Sequence, residues 1–333
     1  MGTPDFAVES LRKLVENNYD VVAVVTMPDK PVGRHHDTLQ ASPVKQYAVE
    51  QGIPVLQPER LKDEAFLEAL RSYKADLQIV VAFRMLPEVV WAMPPMGTFN
   101  LHAALLPQYR GAAPINWAVI NGETETGVTT FFLDHDIDTG RIIHRVPAPI
   151  ADRDTVGDVY DRLMMLGADL VVKTVDDIEN NRIAPVEQSA VLGDSSAELK
   201  PAPKLFKENT EIRWSQHTVK SAYDFIRGLS PYPAAWTTLR TADGKETVLK
   251  VFFAEKDPST LNLKPSTLNL KPSTLNLKPS SLSVPLCDGL LRLTDIQLAG
   301  KKRMPAADFL RGAHLDGAVL VESGNEEAIP LFL

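Results

Sequence analysis

The sequence has few of the features that mark secreted or membrane proteins. It contains one cysteine, Cys287, which excludes an intramolecular disulfide framework and fits a reducing, cytoplasmic location. No apolar run approaches the roughly 18–20 residues that a transmembrane helix needs. The N-terminal stretch holds several charges and lacks the long apolar core of a secretory signal. We therefore expect a cytoplasmic protein that does not associate with a membrane.

Motifs for nucleotides, covalent nucleophiles and metals are also missing. Without a Gly-x-Gly-x-x-Gly or Walker pattern, nucleotide cofactors have no support, and a nicotinamide oxidoreductase is disfavoured. No serine lies in a Gly-x-Ser-x-Gly elbow. The acidic cluster Asp134, Asp136 and Asp138 does not fit a calcium loop, because Thr139 replaces the required glycine and Arg145 the required glutamate. We expect no metal.

The composition that remains is that of a globular protein. The 333 residues are 44% hydrophobic and 23% charged, and this length predicts two domains. The net charge of −8 counts against a protein coated with nucleic acid. It leaves room for a local basic patch, because salt confines surface charge effects to about 10 Å.

The first half of the chain alternates apolar strands with amphipathic helices. A helix is predicted to begin at Thr3-Pro4, with Thr3 as N-cap, and another at Ser42-Pro43. This interleaving predicts an α/β domain over residues 1–183 with a parallel sheet. The predicted strands are 21–25, 77–83, 99–102 and 129–133, and a long helix is predicted at 158–178.

The second half has a different character. Residues 184–203 are rich in proline, serine and alanine and are predicted to be a linker. Residues 204–333 combine one helix at 220–229 with short strands, a pattern that predicts a small β-barrel. A heptapeptide that begins at Pro258 recurs and then degenerates. Because its prolines forbid a continuous helix, we expect 258–281 to be an inserted flexible loop.

Three polar residues stand out as candidates for catalysis. Asn100 and His102 lie two apart on a predicted strand, so their side chains should share a face near its carboxyl end, where open α/β sheets bind ligands. Asp138 follows another strand. An amide can stabilise an oxyanion, an imidazole can relay a proton, and a carboxylate can orient the imidazole. This trio suits acyl transfer by direct attack of a substrate amine, although an Asn-x-His pair alone is more often structural.

Several stretches of the sequence form a distinctive set of motifs. The longest are Gly2-Thr-Pro-Asp-Phe, Met27-Pro-Asp-Lys-Pro-Val-Gly-Arg34 and Asn100-Leu-His-Ala-Ala-Leu-Leu-Pro107. The shorter ones are Ser42–Lys45, Tyr109–Ile115, Asp138–Gly140, Lys204–Lys207, Ser230–Pro233 and Ala299–Lys302. By these motifs the sequence closely resembles the methionyl-tRNA formyltransferase family over nearly its whole length.

The resemblance implies a fold, a reaction and a set of site residues. The fold would be a Rossmann-like formyltransferase domain followed by an oligonucleotide-binding (OB)-like barrel that contacts tRNA. The reaction would move a formyl group from 10-formyltetrahydrofolate to initiator methionyl-tRNA for translation initiation, and the enzyme is expected to be a monomer. Asn100, His102 and Asp138 would be catalytic. The folate pocket would be lined by Phe83, Arg84, Met85, Leu86, Ala104, Leu105, Leu106 and Pro107. The tRNA would be contacted by Arg34, Lys204, Lys207, Lys301, Lys302 and Arg303.

The chain departs from the pattern of the family in a few places. Ala104 stands where many members have serine, and Arg84 where many have glycine. His35-His36-Asp37 follows Arg34 where a basic pair is common, which should weaken contact with tRNA. Other readings stay open: folate-dependent formyl transfer to a small amine, and a non-catalytic RNA-binding protein. The barrel and the Arg34 loop argue against the first, and the intact trio argues against the second.

The N-terminus gives a last expectation. Met1-Gly2-Thr3-Pro4 resembles the turn that follows the first strand of a doubly wound sheet, and no apolar strand precedes it. We therefore expect the first strand of the Rossmann-like domain to be missing from this sequence, with the natural product starting upstream of Met1.

Overall fold

The structure is a computed structural model that describes residues 1–32, 38–192, 198–257, 281–313, 315, 317–324 and 328–331. Its helices are α1 (Asp5–Glu16), α2 (Pro43–Glu50), α3 (Glu64–Ser72), α4 (Glu88–Trp91), α5 (Pro114–Ile120), α6 (Val156–Glu179), α7 (Gln188–Leu192), α8 (Val219–Gly228) and α9 (Ala306–Gly312). Its strands are β1 (Val24–Val25), β2 (Lys30–Val32), β3 (Thr38–Gln40), β4 (Val55–Leu56), β5 (Gln78–Val81), β6 (Thr98–His102), β7 (Glu125–Phe132), β8 (Ile142–Pro149), β9 (Ala235–Arg240), β10 (Glu246–Lys256), β11 (Leu282–Leu286), β12 (Gly289–Leu298), β13 (Met304–Pro305), β14 (Val319–Val321) and β15 (Ile329–Pro330).

The chain divides into two compact units. Unit 1 contains Met1–Pro114, Glu125–Pro149 and Tyr160–Pro203, and unit 2 contains Ile115–Thr124, Ile150–Val159 and Lys204–Leu333. The division at 203 and 204 coincides with the start of the barrel domain expected from the sequence. The stretch 184–203, expected to be a linker, groups with unit 1.

The main sheet of unit 1 has the order β5-β6-β7-β8. β5 and β6 pair in parallel, whereas β6–β7 and β7–β8 pair antiparallel. The expectation of a wholly parallel sheet is therefore wrong for β7 and β8. The connection at 133–141 is shorter than the dozen or so residues that a parallel crossover needs, so β7 and β8 form a hairpin. The parallel pair β5–β6 carries two of the candidate catalytic residues.

The beginning of α1 differs by one residue from the sequence prediction. Pro4 takes the N-cap position and α1 begins at Asp5, so Thr3 does not cap the helix. The Thr3 hydroxyl has no hydrogen-bond partner among the described residues. Asp5 in the first turn interacts favourably with the positive end of the helix dipole, which compensates for the missing cap.

A short backbone bridge and a groove lie beside β5. The Met1 ammonium donates a hydrogen bond to the Ile79 carbonyl at 2.7 Å, Val81 N donates to Met1 O at 2.9 Å, and Gly2 N donates to Val25 O at 3.0 Å. Next to this two-residue bridge lies a groove of about 410 Å³, lined by 21–25 and 75–79 among others. The strand expected at 21–25 is shortened to β1, because 21–23 pair with no strand in the part of the chain that the structure describes. The missing first strand stays a prediction.

Burial in this groove changes the pKa of the Met1 ammonium group. The Met1 ammonium is removed from water, and this desolvation lowers its pKa from 8.0 to about 5. The charged form is therefore disfavoured in the folded protein. Stability should depend on pH through this group.

Unit 2 is an antiparallel sheet in the order β11-β12-β10-β9-β14-β15, with β13 beside β12. Contacts between β11 and β15 bring its two ends together, so the sheet is a nearly closed barrel. Helix α8 packs against β10 and β12. The core residues include Trp214, Ile226, Leu229, Leu249, Val251 and Leu291. The α/β domain and the barrel expected from the sequence are both confirmed.

Candidate active site

Strand β6 places Asn100 and His102 in the middle of the sheet of unit 1. His102 is 5% exposed, and its Nε2 lies 2.9 Å from the Tyr109 carbonyl oxygen. A carbonyl can only accept, so Nε2 carries the proton in this contact. The other ring nitrogen, Nδ1, lies 3.8 Å from Oδ2 of Asp138. In the neutral ring Nδ1 is therefore free to take up a proton, and the Asp138 carboxylate would stabilise the resulting cation.

Asp138 reaches the histidine from the turn between β7 and β8. Its backbone lies in the left-handed region with φ of 56°, which a short polar side chain tolerates. The carboxylate Oδ2 also accepts a hydrogen bond from the Gly111 amide at 2.9 Å. The turn is tight, because a Cβ at Gly140 would meet the Phe132 carbonyl oxygen at 1.7 Å.

Asn100 is half-buried on the same strand. Its side-chain amide makes no hydrogen bond within the part of the chain that the structure describes. A half-buried amide beside His102 is a donor that a substrate oxygen can use. The structure brings His102 Nδ1 and Asp138 Oδ2 to 3.8 Å and places Asn100 two residues before His102 on β6. The catalytic role of these three residues stays a prediction.

Gln188 is a residue of this site that the sequence did not single out. It is 3% exposed, and its Nε2 donates to the carbonyl oxygens of Asp138 at 2.8 Å and of Gly140 at 2.9 Å. Its Oε1 accepts from Arg110, from Nε at 3.0 Å and from Nη2 at 2.6 Å. It lies in the stretch expected to be a linker, where no periodic pattern marked it.

The residues expected to bind folate follow two neighbouring parallel strands, β5 and β6. Segments 83–86 and 104–107 therefore begin at the same edge of the sheet. Ala104 and Leu106 are fully buried, and the Thr129 hydroxyl donates to Ala104 O at 2.6 Å and accepts from Leu106 N at 3.1 Å. In contact with a ligand, these two residues would offer backbone rather than side-chain atoms.

The other expected folate residues vary in exposure. Met85 is 74% exposed, whereas Leu86 packs in the core beside Phe83, and Leu105 and Pro107 belong to the same turn. The Arg84 guanidinium is held by the backbone, with Nη1 donating to Glu59 O at 2.8 Å and Nη2 to Pro58 O. Arg84, which stands where many members of the family have glycine, is thus bonded to the backbone at 58–59. The folate role of all eight residues stays a prediction.

Arg34, expected to contact tRNA, lies outside the described residues. The strands on either side of its segment, β2 and β3, pair antiparallel. Nearby, Asp29 accepts hydrogen bonds from Lys45 Nζ at 2.6 Å and from Gln57 Nε2 at 2.7 Å, and these donors lower the pKa of the Asp29 carboxyl. The segment that leads into the hairpin is thereby fixed to α2 and to the residue that follows β4.

The basic residues expected to contact tRNA lie on unit 2. Lys204 and Lys207 are exposed, with their ammonium groups 5.4 Å and 5.5 Å from the rings of Phe206 and Trp236. Lys301 and Lys302 are exposed between β12 and β13. Arg303 donates from Nε to Asp295 Oδ2 at 2.8 Å, so part of its charge is already compensated. Their roles stay predictions.

A row of side chains across the barrel joins two of these groups. Trp236 on β9 pairs with Lys250 on β10, which pairs with Gln297 on β12. Residues directly opposite each other in an antiparallel sheet point to the same face. Lys207 lies over Trp236, and Gln297 Nε2 donates to Lys301 O at 2.9 Å. Lys207, Trp236, Lys250, Gln297 and Lys301 therefore form one surface, the basic–aromatic row. Three of its members, Trp236, Lys250 and Gln297, were not among the residues expected from the sequence.

Two other kinds of site are absent from the part of the chain that the structure describes. None of the described helices is both long enough and apolar enough to span a membrane. No group of three or more histidine, cysteine, aspartate or glutamate side chains in the described segments is arranged to hold a metal ion.

Comparison with known proteins defines the class of this fold and site. The profile of formyl transferases matches residues 1–175, and the profile of the formyl transferase C-terminal domain matches residues 204–314. Among solved structures, the sugar 3N-formyl transferase WlaRD has a TM-score of 0.61 at 19% identity and covers 90% of this chain and 97% of its own. HypX from Aquifex aeolicus in complex with tetrahydrofolic acid has a TM-score of 0.52 at 22% identity, with 79% of this chain and 43% of its own covered. The fold is that of a formyl transferase.

Curated relatives narrow the class to one family. Methionyl-tRNA formyltransferase of Parabacteroides distasonis is 62% identical over 312 residues, 94% of each chain. The enzymes of the same name from Bacteroides thetaiotaomicron and Porphyromonas gingivalis are 59% and 46% identical and cover 95% and 97% of each chain. The chain belongs to the methionyl-tRNA formyltransferase family.

Proposed function

We propose that this chain transfers the formyl group of 10-formyltetrahydrofolate to the α-amino group of initiator methionyl-tRNA. The observation that carries the chemistry is the arrangement of His102, with Nε2 held by the Tyr109 carbonyl and Nδ1 facing Asp138 at 3.8 Å. The curated relatives support the choice of acceptor. They are methionyl-tRNA formyltransferases, and this chain matches them over nearly their whole length.

The reaction transfers one proton from the attacking amine to N10 of the folate. The substrate amine attacks the formyl carbon and forms a C–N bond, and the carbonyl oxygen becomes an oxyanion. His102 Nδ1 takes the proton that the attacking nitrogen loses. When the bond from the formyl carbon to N10 of the folate breaks, the imidazolium returns that proton to N10. Asp138 stabilises the cation between these steps, and general acid–base catalysis of this kind contributes roughly 10²–10⁴ in rate.

Asn100 has the remaining task. Its half-buried amide has no hydrogen-bond partner within the described ranges, and it lies two residues from His102 on the same strand. Donation from this amide to the oxyanion stabilises the tetrahedral intermediate. The loss of such a donor typically costs about 3 kcal/mol of transition-state stabilisation.

The assay that tests the function uses the full chain with 10-formyltetrahydrofolate and three acceptors. These are initiator methionyl-tRNA, elongator methionyl-tRNA and methioninamide, and formylated methionine is measured by mass. We expect the largest kcat/KM with the initiator tRNA. If methioninamide is formylated as efficiently as the tRNA, the chain is a small-amine formyltransferase. If no acceptor reacts, the proposed function is wrong.

Recognition of the tRNA includes the basic–aromatic row of unit 2. Its three lysines, Lys207, Lys250 and Lys301, lie on one face with the half-buried Trp236, on which a base can stack. Phosphate contacts release counterions, so affinity should fall steeply with salt. Lys204, Lys302, Arg303 and Arg34 would add further contacts, and Arg303 the least because Asp295 already compensates it.

The row is tested by charge reversal. Lys250→Glu should weaken tRNA binding about tenfold or more and should flatten the salt dependence. It should leave the KM for folate unchanged. The matched control is Lys245→Glu, a lysine in the turn between β9 and β10 at the far end of the same strands. Equal effects of the two variants would show a general loss of charge and would contradict a defined surface.

The proposal also includes the organisation of the chain. A catalytic part at 1–183 and a tRNA-contacting part at 204–333 are joined by 184–203 in a cytoplasmic monomer. Light scattering of the purified chain tests the monomer, and a dimer mass would contradict it.

A further inference from the structure

Beyond the trio, we infer that Gln188 is a positioning residue that holds the Asp138 turn against His102. The inference rests on the proposed function for its kinetic test only. Among the described residues, the Gln188 side chain makes no hydrogen bond to His102 or to the Asp138 carboxylate. It acts on the backbone that carries Asp138, by donating to the carbonyls on either side of Thr139.

The position of Gln188 is itself fixed by the fold. Two residues earlier, Val186 forms a two-way backbone bridge with Ile142, with N···O distances of 2.8 and 2.9 Å. Ile142 begins β8, so the same strand that leaves the Asp138 turn also anchors the segment that returns to it. Helix α7 then begins at Gln188, and its side chain is almost completely buried.

The amide side chain satisfies two kinds of partner at once. Its nitrogen faces two carbonyl oxygens, and its oxygen faces two N–H groups of Arg110. Only a side chain with both a donor and an acceptor end fits this set of four bonds. A carboxylate of the same shape would keep the Arg110 contacts, but it would set an oxygen against the carbonyls of Asp138 and Gly140.

Through Arg110, Gln188 also reaches the segment that contacts both His102 and Asp138. Arg110 stands between Tyr109, whose carbonyl accepts from His102, and Gly111, whose amide donates to Asp138. One glutamine is thus bonded to the backbone of the turn that carries Asp138 and, through the Arg110 guanidinium, to the segment 109–111 that contacts both His102 and Asp138. If these segments moved apart, the gap between Nδ1 and the carboxylate would widen. A misplacement of about 1 Å in a catalytic group can cost roughly 10²-fold in rate.

The exchange of amide and carboxylate between two adjacent residues provides a matched test. Gln188→Glu is isosteric: it keeps the Arg110 contacts, removes the two bonds to the turn and sets a carboxylate oxygen against the carbonyls of Asp138 and Gly140. Glu187→Gln makes the reverse exchange at an exposed neighbour of the same segment. We expect Gln188→Glu to lower kcat about tenfold or more, with the KM values for folate and tRNA changed less than about threefold. Glu187→Gln should match the unsubstituted chain.

A second readout does not depend on turnover. The Gly111 amide proton, which donates to Asp138 Oδ2 at 2.9 Å, reports on the carboxylate in a ¹⁵N-glycine NMR spectrum. In Gln188→Glu and Gln188→Ala, we expect this resonance to move upfield and its hydrogen exchange to speed up. Because both variants leave buried partners of Gln188 unsatisfied, they should melt below Glu187→Gln, so the spectra are compared at a temperature where all three are folded.

The two readouts separate the possible failures. An unchanged kcat and an unchanged Gly111 resonance in Gln188→Glu would overturn the inference. A moved resonance in a chain that formylates no acceptor would keep the positioning role and overturn the proposed function instead. A kcat that falls while the Gly111 resonance stays in place would also overturn the positioning role.

Discussion

Strand β5 has a different neighbour on each side. One side carries candidate catalytic residues, and the other borders a groove. On one side, β6 pairs with it over four residue pairs and carries Asn100 and His102. On the other side, among the described residues, only Met1 and Gly2 bridge to it, beside a groove of about 410 Å³. We call these the catalytic flank and the groove flank.

The two flanks differ in what surrounds them. On the catalytic flank, β6 carries Asn100 and His102, and hydrogen bonds with 109–111 and with Gln188 hold His102 and the turn that carries Asp138. The groove flank leaves apolar residues at 21–23 half-buried and without a neighbouring strand. We therefore expect substitutions on the catalytic flank to change turnover, and changes on the groove flank to change the free energy of unfolding.

The largest expected effect breaks the catalytic flank alone. Asn100→Ala, His102→Ala and Asp138→Ala should each lower kcat/KM by roughly 10²–10⁴, because each removes a group that stabilises charge or moves a proton. Formyl-transfer kinetics measure the loss, and far-ultraviolet circular dichroism checks the fold. Near wild-type turnover in any one variant would remove that residue from the mechanism.

The second prediction concerns the pH dependence of the groove flank. Burial lowers the pKa of the Met1 ammonium from 8.0 to about 5. Between these values the unfolded chain binds more protons than the folded one, so stability should rise as pH increases from 5 to 8. Three pKa units correspond to at most about 4 kcal/mol. Chemical denaturation of the 333-residue chain across this window measures it.

The contribution of a second buried base, His217, to the pH dependence of stability must be separated from that of the Met1 ammonium. Desolvation also lowers the pKa of His217 in unit 2, and its contribution to stability has the same sign. The experiment is therefore repeated with His217→Gln. If the stability of that variant no longer changes between pH 6.5 and 8, the ammonium does not titrate as described.

The third prediction fills the groove. Adding five apolar β-branched residues before Met1 moves the ammonium away and offers a strand between β1 and β5. We expect this extension to stabilise the chain by about 3 kcal/mol relative to a glycine–serine extension of equal length, since each buried valine or isoleucine contributes about 1.5–3 kcal/mol before ordering costs. Urea denaturation at pH 7.5 measures the difference. Equal stability of the two extensions would mean that the groove is not an acceptor for a strand.

The smallest expected effect comes from crowding the bridge itself. A Cβ at Gly2 would lie 2.5 Å from Ala7 Cβ and 2.8 Å from Val81 O. Gly2→Ala should therefore destabilise the chain by about 1–3 kcal/mol, with kcat per folded molecule unchanged. Gly312→Ala, where a Cβ would meet nothing within 4 Å, is the control. A loss of kcat in Gly2→Ala would show that the two flanks are coupled.

The catalytic flank was largely predictable from the sequence. Alternation on one strand placed Asn100 and His102 together, and the observed strand, Thr98–His102, differs from the expected one by one residue. Local periodicity carries that information because it depends on neighbours in the chain. The short β1 was not predictable, since β-branched residues at 21–23 indicate a strand whether or not a partner is present to pair with it.

The contribution of Gln188 was not predictable for a related reason. It lies in a stretch with no hydrophobic period, and only the bridge between Ile142 and Val186 brings it to the Asp138 turn. Antiparallel β7 and β8 were missed because the sequence marks where strands occur more clearly than which neighbours they pair with. Contacts made by single polar side chains over long sequence separations leave no periodic pattern.

The bonds among Asp29, Lys45 and Gln57 have a consequence for how this protein could diverge. They fix the chain just before β2 by contacts that lie outside residues 33–37, which join the two strands of the hairpin. Substitutions in that connection therefore need not disturb the sheet. Residues in such a connection can therefore change from one relative to another without a matching change in β2, in α2 or in the segment that follows β4.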